Sequence, residues 1–138
     1  MAVGLKIGPI FYKIGTGSFL NCFFSTIAHN LEKSKRGSKY PYLMKELYNG
    51  ELLYENISKA EKELNIVREE LKAFSPEKVV WDIENLSQRP PWGNEIADRI
   101  TDLSNYFYTS DGNDLFEVFF KAFNTGKEVK KNILVHSL

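Results

Sequence analysis

The sequence predicts an α+β or α/β fold in which about four helices pack on a small mixed sheet of about four to five strands. Three observations carry this prediction: residues 2–14 have the composition of β-strands, three later segments have helical apolar spacing, and short strand candidates lie between and after the helices. A length of 138 residues is that of one domain, so we expect residues 1–138 to form a single domain.

A hairpin and a helix are expected first. Gly8 and Pro9 divide residues 2–14 into two short strands. Ser18 is expected to be the N-cap of the helix that follows. The helix is predicted because apolar side chains recur at helical spacing and form one broad face: Phe19, Leu20, Phe23, Phe24, Ile27, Ala28 and Leu31. A polar loop over residues 33–39 then separates this helix from the next element.

Two more helices are expected in the middle of the chain. Residues 42–48 form a short one that starts at Pro41 and ends at Asn49 and Gly50. Residues 56–74 form a longer one, which Ser75-Pro76 ends. Its apolar face recurs every three or four residues: Ile57, Ala60, Leu64, Val67, Leu71 and Phe74.

The C-terminal half mixes strand and helix signals. Residues 79–81 and 105–109 are strand candidates, and residues 110–113 form a turn before a helix from Asp114 to about Thr125. Residues 133–136 would be a closing strand. Helical crossovers leave room for parallel pairs, one between the first strand and residues 79–81 and one between residues 105–109 and the closing strand.

Charge and cysteine content exclude several classes of protein. The formal net charge is zero, so no global field attracts nucleic acid or an anionic membrane. The charge is nevertheless segregated: residues 1–45 carry seven Lys/Arg and one Glu, whereas residues 77–117 carry nine Asp/Glu and three Lys/Arg. The sequence has one cysteine, Cys22, and it contains neither a signal peptide nor an apolar run long enough to span a membrane. We therefore expect a cytoplasmic protein.

Short motifs that could bind a ligand are better explained structurally. Residues 15–18 lie where a phosphate loop would, but they lack its lysine and favour a tight turn with a helix cap. His29, His136 and Cys22 show no metal-ligand spacing. Residues 111–114 lack the alternating ligands of a calcium loop and are typical of a capping turn. We therefore expect no metal and no cofactor.

Two hypotheses remain for the acidic, aromatic region. The carboxylates of residues 82–114 could serve a small hydrolase if two of them lay close together, which sequence spacing cannot establish. Alternatively, Trp and Tyr beside charged groups on the rigid turn over residues 89–93 are common in protein interfaces. A structural explanation competes with both, because Trp81 and Phe107 could be core and Trp92 could pack under its own loop.

Six separated blocks of the sequence resemble one bacterial family. They are SKYPYLMKELY at 38–48, FSP at 74–76, VVWDIENL at 79–86, PPWG at 90–93, TDLSNYF at 101–107 and TSDGNDLF at 109–116. The resemblance runs from about Val3 to Ala122 and is to immunity protein seventy, a family found beside polymorphic toxins in Bacillus-like bacteria. It implies a small cytoplasmic antidote that binds the toxic C-terminal domain of a secreted effector, and it names no catalytic residues.

This resemblance favours a binding protein over an enzyme. The partner expected is the cognate toxin domain. By analogy with toxins that act on nucleic acid, a nuclease is one candidate, because an acidic surface would complement its basic cleft. Direct nucleic-acid or membrane binding is not expected. The alternatives are the carboxylate hydrolase and a subunit that oligomerises through its aromatics, although the free protein is expected to be monomeric. The predicted partner contacts are Asp82, Glu84, Trp92, Glu95, Asp98 and Asp102.

Overall fold

The chain begins with a β-hairpin that leads directly into a helix. The computed structural model describes residues 2–92 and 97–137. Strands β1 (Ala2–Ile7) and β2 (Ile10–Thr16) pair antiparallel, as predicted, and helix α1 covers Gly17–Leu31. The N-cap of α1 is Thr16 and not Ser18: the Thr16 hydroxyl accepts a hydrogen bond from the backbone N–H of Phe19 at 3.1 Å. Since Thr16 also ends β2, strand and helix meet without a connecting loop.

The middle of the chain contains the predicted short and long helices. Tyr42–Leu47 forms a short π-helix, and the two-residue strand β3 (Glu51–Leu52) follows it. Helix α2 covers Ile57–Leu71 and buries every member of the predicted apolar face except Phe74, which is half-buried beyond its end. After Leu71 the chain forms tighter turns, in which the N–H groups of residues 72–74 each donate a hydrogen bond to the carbonyl three residues earlier. The helix therefore ends three residues before its predicted limit.

Both strand candidates of the C-terminal half are wrong. Residues 79–81 pair with no strand among the described residues, and residues 103–105 form a 3₁₀ turn instead of leading into a strand. Only an isolated antiparallel bridge between Tyr108 and Asp114 remains. Helix α3 covers Leu115–Val129 and runs past its predicted end at Thr125, and strand β4 (Ile133–Ser137) closes the fold as predicted.

The described residues form one four-stranded sheet in the order β2-β1-β4-β3, antiparallel throughout. The α+β class with four helices is thus confirmed, but the expected parallel pairs are absent from this sheet. Alternate residues of β1, namely Val3, Leu5 and Ile7, are buried beneath the helices. At the centre of the core, the Phe23 ring centroid lies 5.3 Å from that of Phe107 and 5.4 Å from that of Phe116.

Candidate partner-binding surface

The region that carries the predicted contacts is anchored on α1 by two buried hydroxyl groups. Thr26 Oγ1 accepts from the backbone N–H of Val80 at 3.0 Å and donates to the Val80 carbonyl at 3.2 Å. Ser25 Oγ accepts from the N–H of Ile83 at 3.1 Å. These side chains take the place that a neighbouring strand would have, which explains why an extended apolar segment at residues 79–81 is not part of the sheet.

Aromatic rings connect this region to the core. The Trp92 indole N–H donates to the Tyr106 hydroxyl at 2.6 Å, and the Trp92 ring meets Trp81 edge-to-face at 5.6 Å between centroids. Tyr106 then contacts Phe107 at 5.1 Å, edge-to-face. Burial raises the pKa of the Tyr106 phenol, and the hydrogen bond from Trp92 opposes that shift. Trp92 is therefore both a half-buried packing residue and part of the surface.

An apolar groove of about 380 Å³ opens beside this cluster. Its lining joins two distant parts of the chain: the β2–α1 junction, and Trp92 together with residues of the stretch 97–110. Five large side chains line it, namely Phe19, Trp92, Ile100, Tyr106 and Tyr108, together with Gly15, Thr16, Ala97 and Ser110. None of the lining residues that the structure describes is acidic, and this described lining offers apolar contact.

The predicted acidic contacts occupy different environments. Glu84 and Asp98 are exposed, and neither forms an ion pair with the described residues. Asp82 is half-buried and accepts from the backbone N–H of Glu84 at 3.0 Å. Glu95 lies outside the described residues. Three of the six predicted contacts are thus carboxylates whose charge is uncompensated within the described chain.

Asp102 has a structural role in addition to any contact with a partner. Its carboxylate accepts from the Ser104 N–H at 2.8 Å and from the Ser104 and Thr101 hydroxyls, and so caps the 3₁₀ turn Leu103–Asn105. Desolvation raises the pKa of Asp102, but these hydrogen bonds, aided by the positive charge of Lys72, outweigh it and lower the pKa below the usual 3.8. The capped turn takes in Asn105, the first residue of the predicted strand 105–109.

Part of the acidic excess seen in the sequence is neutralised by the fold. Arg68 of α2 lies 3.6 Å from the Asp114 carboxylate and 3.7 Å from that of Glu117. A basic residue near the groove is also engaged: the Arg99 guanidinium stacks on the Tyr108 ring at 4.3 Å. Among the predicted contacts that the structure describes, Asp82, Glu84 and Asp98 therefore keep an unpaired negative charge; Glu77 and Asp111, outside that set, likewise form no ion pair within the described chain.

The residues considered for metal or nucleophilic chemistry lie apart from one another in the fold. Burial raises the pKa of the Cys22 thiol to about 12, so the thiol is protonated at neutral pH and is a weak nucleophile. His29 hydrogen-bonds the Ser34 hydroxyl, and the His136 ring meets Phe11 edge-to-face. Residues 2–92 and 97–137 contain no group of three or more His, Cys, Asp or Glu side chains placed to hold a metal ion.

Sequence reasoning missed the residues that hold this surface together. Ser25 and Thr26 are fully buried on α1, and two consecutive hydroxyl residues within an apolar helix face were the signal that could have revealed them. Phe19 was assigned to the core and Ile100 was not considered, yet both line the groove. No local pattern could have brought Phe19 and Ile100 together, because 80 intervening residues separate them.

Fold and surface together describe a small α+β protein with an aromatic groove, two of whose lining residues, Ala97 and Ser110, are followed in the sequence by the exposed carboxylates Asp98 and Asp111. The chain matches the family Immunity protein 70 over residues 5–135, nearly its whole length, and it belongs to that family. The resemblance seen in the sequence is thereby confirmed, and the chain is an immunity protein. Comparisons with curated proteins and with solved structures give no significant match. No helix of the described chain combines the length and the apolar content needed to cross a bilayer.

Proposed function

We propose that this protein binds the toxic C-terminal domain of a cognate polymorphic toxin in the cytoplasm and neutralises it by occupation, without catalysis. The match to Immunity protein 70 over residues 5–135 is the observation that carries the proposal. The free protein is a monomer in this proposal, and it requires neither metal nor cofactor. In this proposal residues 1–138 form one immunity-type domain, which the match over residues 5–135 supports.

The contact surface in this proposal is the one formed by Asp82, Glu84, Trp92, Asp98 and Asp102, with Glu95 as a further contact. Exposed Glu84 and Asp98 would accelerate the encounter with a basic partner, since opposite charges steer association. A nuclease is a suitable partner because its nucleic-acid cleft is basic. Trp92 would be an anchor, since a half-buried ring already held by a hydrogen bond loses little freedom on binding.

Titration of the toxin tests the mode of inhibition. The toxin domain encoded beside this gene is purified, its activity is measured, and the immunity protein is added in steps. Neutralisation by occupation predicts that activity disappears at one immunity protein per toxin, and that the complex elutes with both chains intact. Complete inactivation by a small fraction of an equivalent, with a chemically altered toxin, would instead show turnover and refute the proposal.

Point variants test the surface. Trp92→Ala is expected to weaken binding by about 2 kcal/mol or more, as truncated hot-spot aromatics do. Asp98→Lys is expected chiefly to slow association and to reduce its dependence on salt. Glu128→Lys makes the same charge reversal on the exposed end of α3, distant in sequence from the proposed contacts, and is the control.

Folding is measured in parallel by thermal denaturation. Trp92→Phe helps the interpretation, because it keeps a ring at this position and removes only the N–H that bonds Tyr106. Folded variants that bind the toxin with unchanged rates would place the contact elsewhere, and the basic loop over residues 33–39 would then be the next surface to test.

A further inference from the structure

The apolar groove beside Trp92 has the form of a socket for a side chain. Its volume of about 380 Å³ is at the low end of the roughly 300–1,000 Å³ typical of ligand pockets, which suits one or two large side chains. Five aromatic or large apolar residues line it together. A contiguous apolar surface of this kind is typical of an interaction site, whereas single exposed apolar residues are common on any protein. Central pockets of this kind are where interface hot spots insert.

The walls of the groove are held in place before any partner arrives. The Tyr106 ring is fixed by the 2.6 Å hydrogen bond from Trp92 and by its packing on Phe107. The backbone of Tyr108 bridges to Asp114, and its ring carries the Arg99 guanidinium. The N–H of Ser110 donates to the carbonyl of Ile14 at 2.9 Å, which ties this wall to β2. A preformed socket costs little conformational entropy to fill.

The charges at the groove's border specify what should accompany the inserted side chain. Asp98 and Asp111 each follow a lining residue, Ala97 and Ser110, in the sequence; both are exposed, and neither has an ion-pair partner in the described chain. The neighbouring Arg99 guanidinium stacks on the Tyr108 ring and keeps its positive charge. Two carboxylates against one guanidinium still leave these three flanking residues with a net negative charge, which complements Lys or Arg.

We infer that the groove receives a large apolar side chain of the toxin, presented next to Lys or Arg, and that this insertion anchors the complex. The inference rests on the proposed function and adds to it the kind of toxin segment that is recognised. A second copy of this chain fits less well, because a self-complementary contact at this groove would bring Asp98 and Asp111 towards their own counterparts, and like charges oppose that arrangement.

Plugging the groove provides a direct test. Ala97 lines the groove and is exposed, so Ala97→Trp should fill the socket without disturbing the core. The matched control is Ala73→Trp, the same change at another exposed alanine that does not line the groove. Binding of each purified variant to the toxin domain encoded beside the gene is measured by calorimetry, and the state of association of the free proteins by sedimentation.

Ala97→Trp is expected to weaken toxin binding about 30-fold or more, while Ala73→Trp binds like the unaltered chain. Ser110→Phe, which fills the groove from another lining residue, should reproduce the loss and serves if Ala97→Trp does not fold. Folded plugged variants that bind with unchanged affinity would overturn the inference but leave the proposed function intact. Failure of the unaltered chain to bind the toxin would reject both. The inference would also be overturned if the unaltered chain sedimented as a dimer and a plugged variant as a monomer, because the occupant of the groove would then be a second copy of the chain.

Discussion

Replacing Thr26 by Val tests whether one hydroxyl holds the segment that leads to the binding surface. The side chains have nearly the same shape, but Val can neither accept from the Val80 N–H nor donate to the Val80 carbonyl. Thr26 is fully buried and Val80 nearly so, so water does not readily replace the lost partner. Both the N–H and the C=O of Val80 lose a partner, at about 1.5–2 kcal/mol each within the usual range for an unsatisfied buried group, and the added methyl group returns about 0.8 kcal/mol. We expect a net loss of about 2–3 kcal/mol.

Thermal and urea denaturation measure this loss. For a chain of this length, 2–3 kcal/mol corresponds to a fall in Tm of roughly 7–10 °C. Thr26→Ser is the control: it keeps both hydrogen bonds, loses one methyl group, and should cost about 1 kcal/mol. The predicted order of stability is therefore Thr, then Ser, then Val. A Val variant as stable as the unaltered protein, or more stable than the Ser variant, would refute the anchoring role of Thr26.

Two further changes test the fold. Gly4→Ala should destabilise the protein by about 1–3 kcal/mol in urea denaturation. The added Cβ would lie 2.3 Å from the Tyr12 carbonyl oxygen and 2.6 Å from the Phe11 ring, so the hairpin would have to shift. Unchanged stability would show that the hairpin adjusts freely. Asp102→Ala should destabilise the protein above pH 4 and progressively less below it. The folded state lowers the pKa of this carboxyl, so the carboxyl stabilises the fold above its unfolded pKa near 3.8, and this stabilisation is lost as the pH falls. A difference in stability that did not change with pH would contradict the capping role.

Elements with strong local periodicity could be predicted from the sequence. Helices α1, α2 and α3 lie where apolar residues recur at helical spacing, because burying one face of a helix requires that spacing. The hairpin that Gly8-Pro9 divides and the closing strand β4 were likewise evident. Errors at the helix ends are small and have local causes, such as the choice between the hydroxyls of Thr16 and Ser18.

The two false strands show why short apolar segments are ambiguous. Residues 79–81 have the composition of a strand, but the N–H and C=O of the central Val80 are bonded by the hydroxyl of Thr26, which is 54 residues earlier. Before the second candidate, the Asp102 carboxylate binds the Ser104 N–H and caps a 3₁₀ turn that takes in Asn105, the first residue of that candidate. Conversely, β3 was missed, because two residues are too few to establish an alternating pattern. Its pairing with β4 depends on contacts across some 80 residues.

By itself, the sequence determined the α+β class, the main helices, the hairpin and the family, because each depends on residues that are near one another or on blocks read directly. Only the tertiary structure decided the antiparallel strand order, the pairing of Arg68 with Asp114 and Glu117, and the groove. The predicted contacts are still a proposal, and the fold distinguishes them by environment: Glu84 and Asp98 are exposed, whereas Asp102 caps a turn. These distinctions arise from hydrogen bonds and packing between distant segments, and no local pattern of residues encodes which distant partner a side chain will meet.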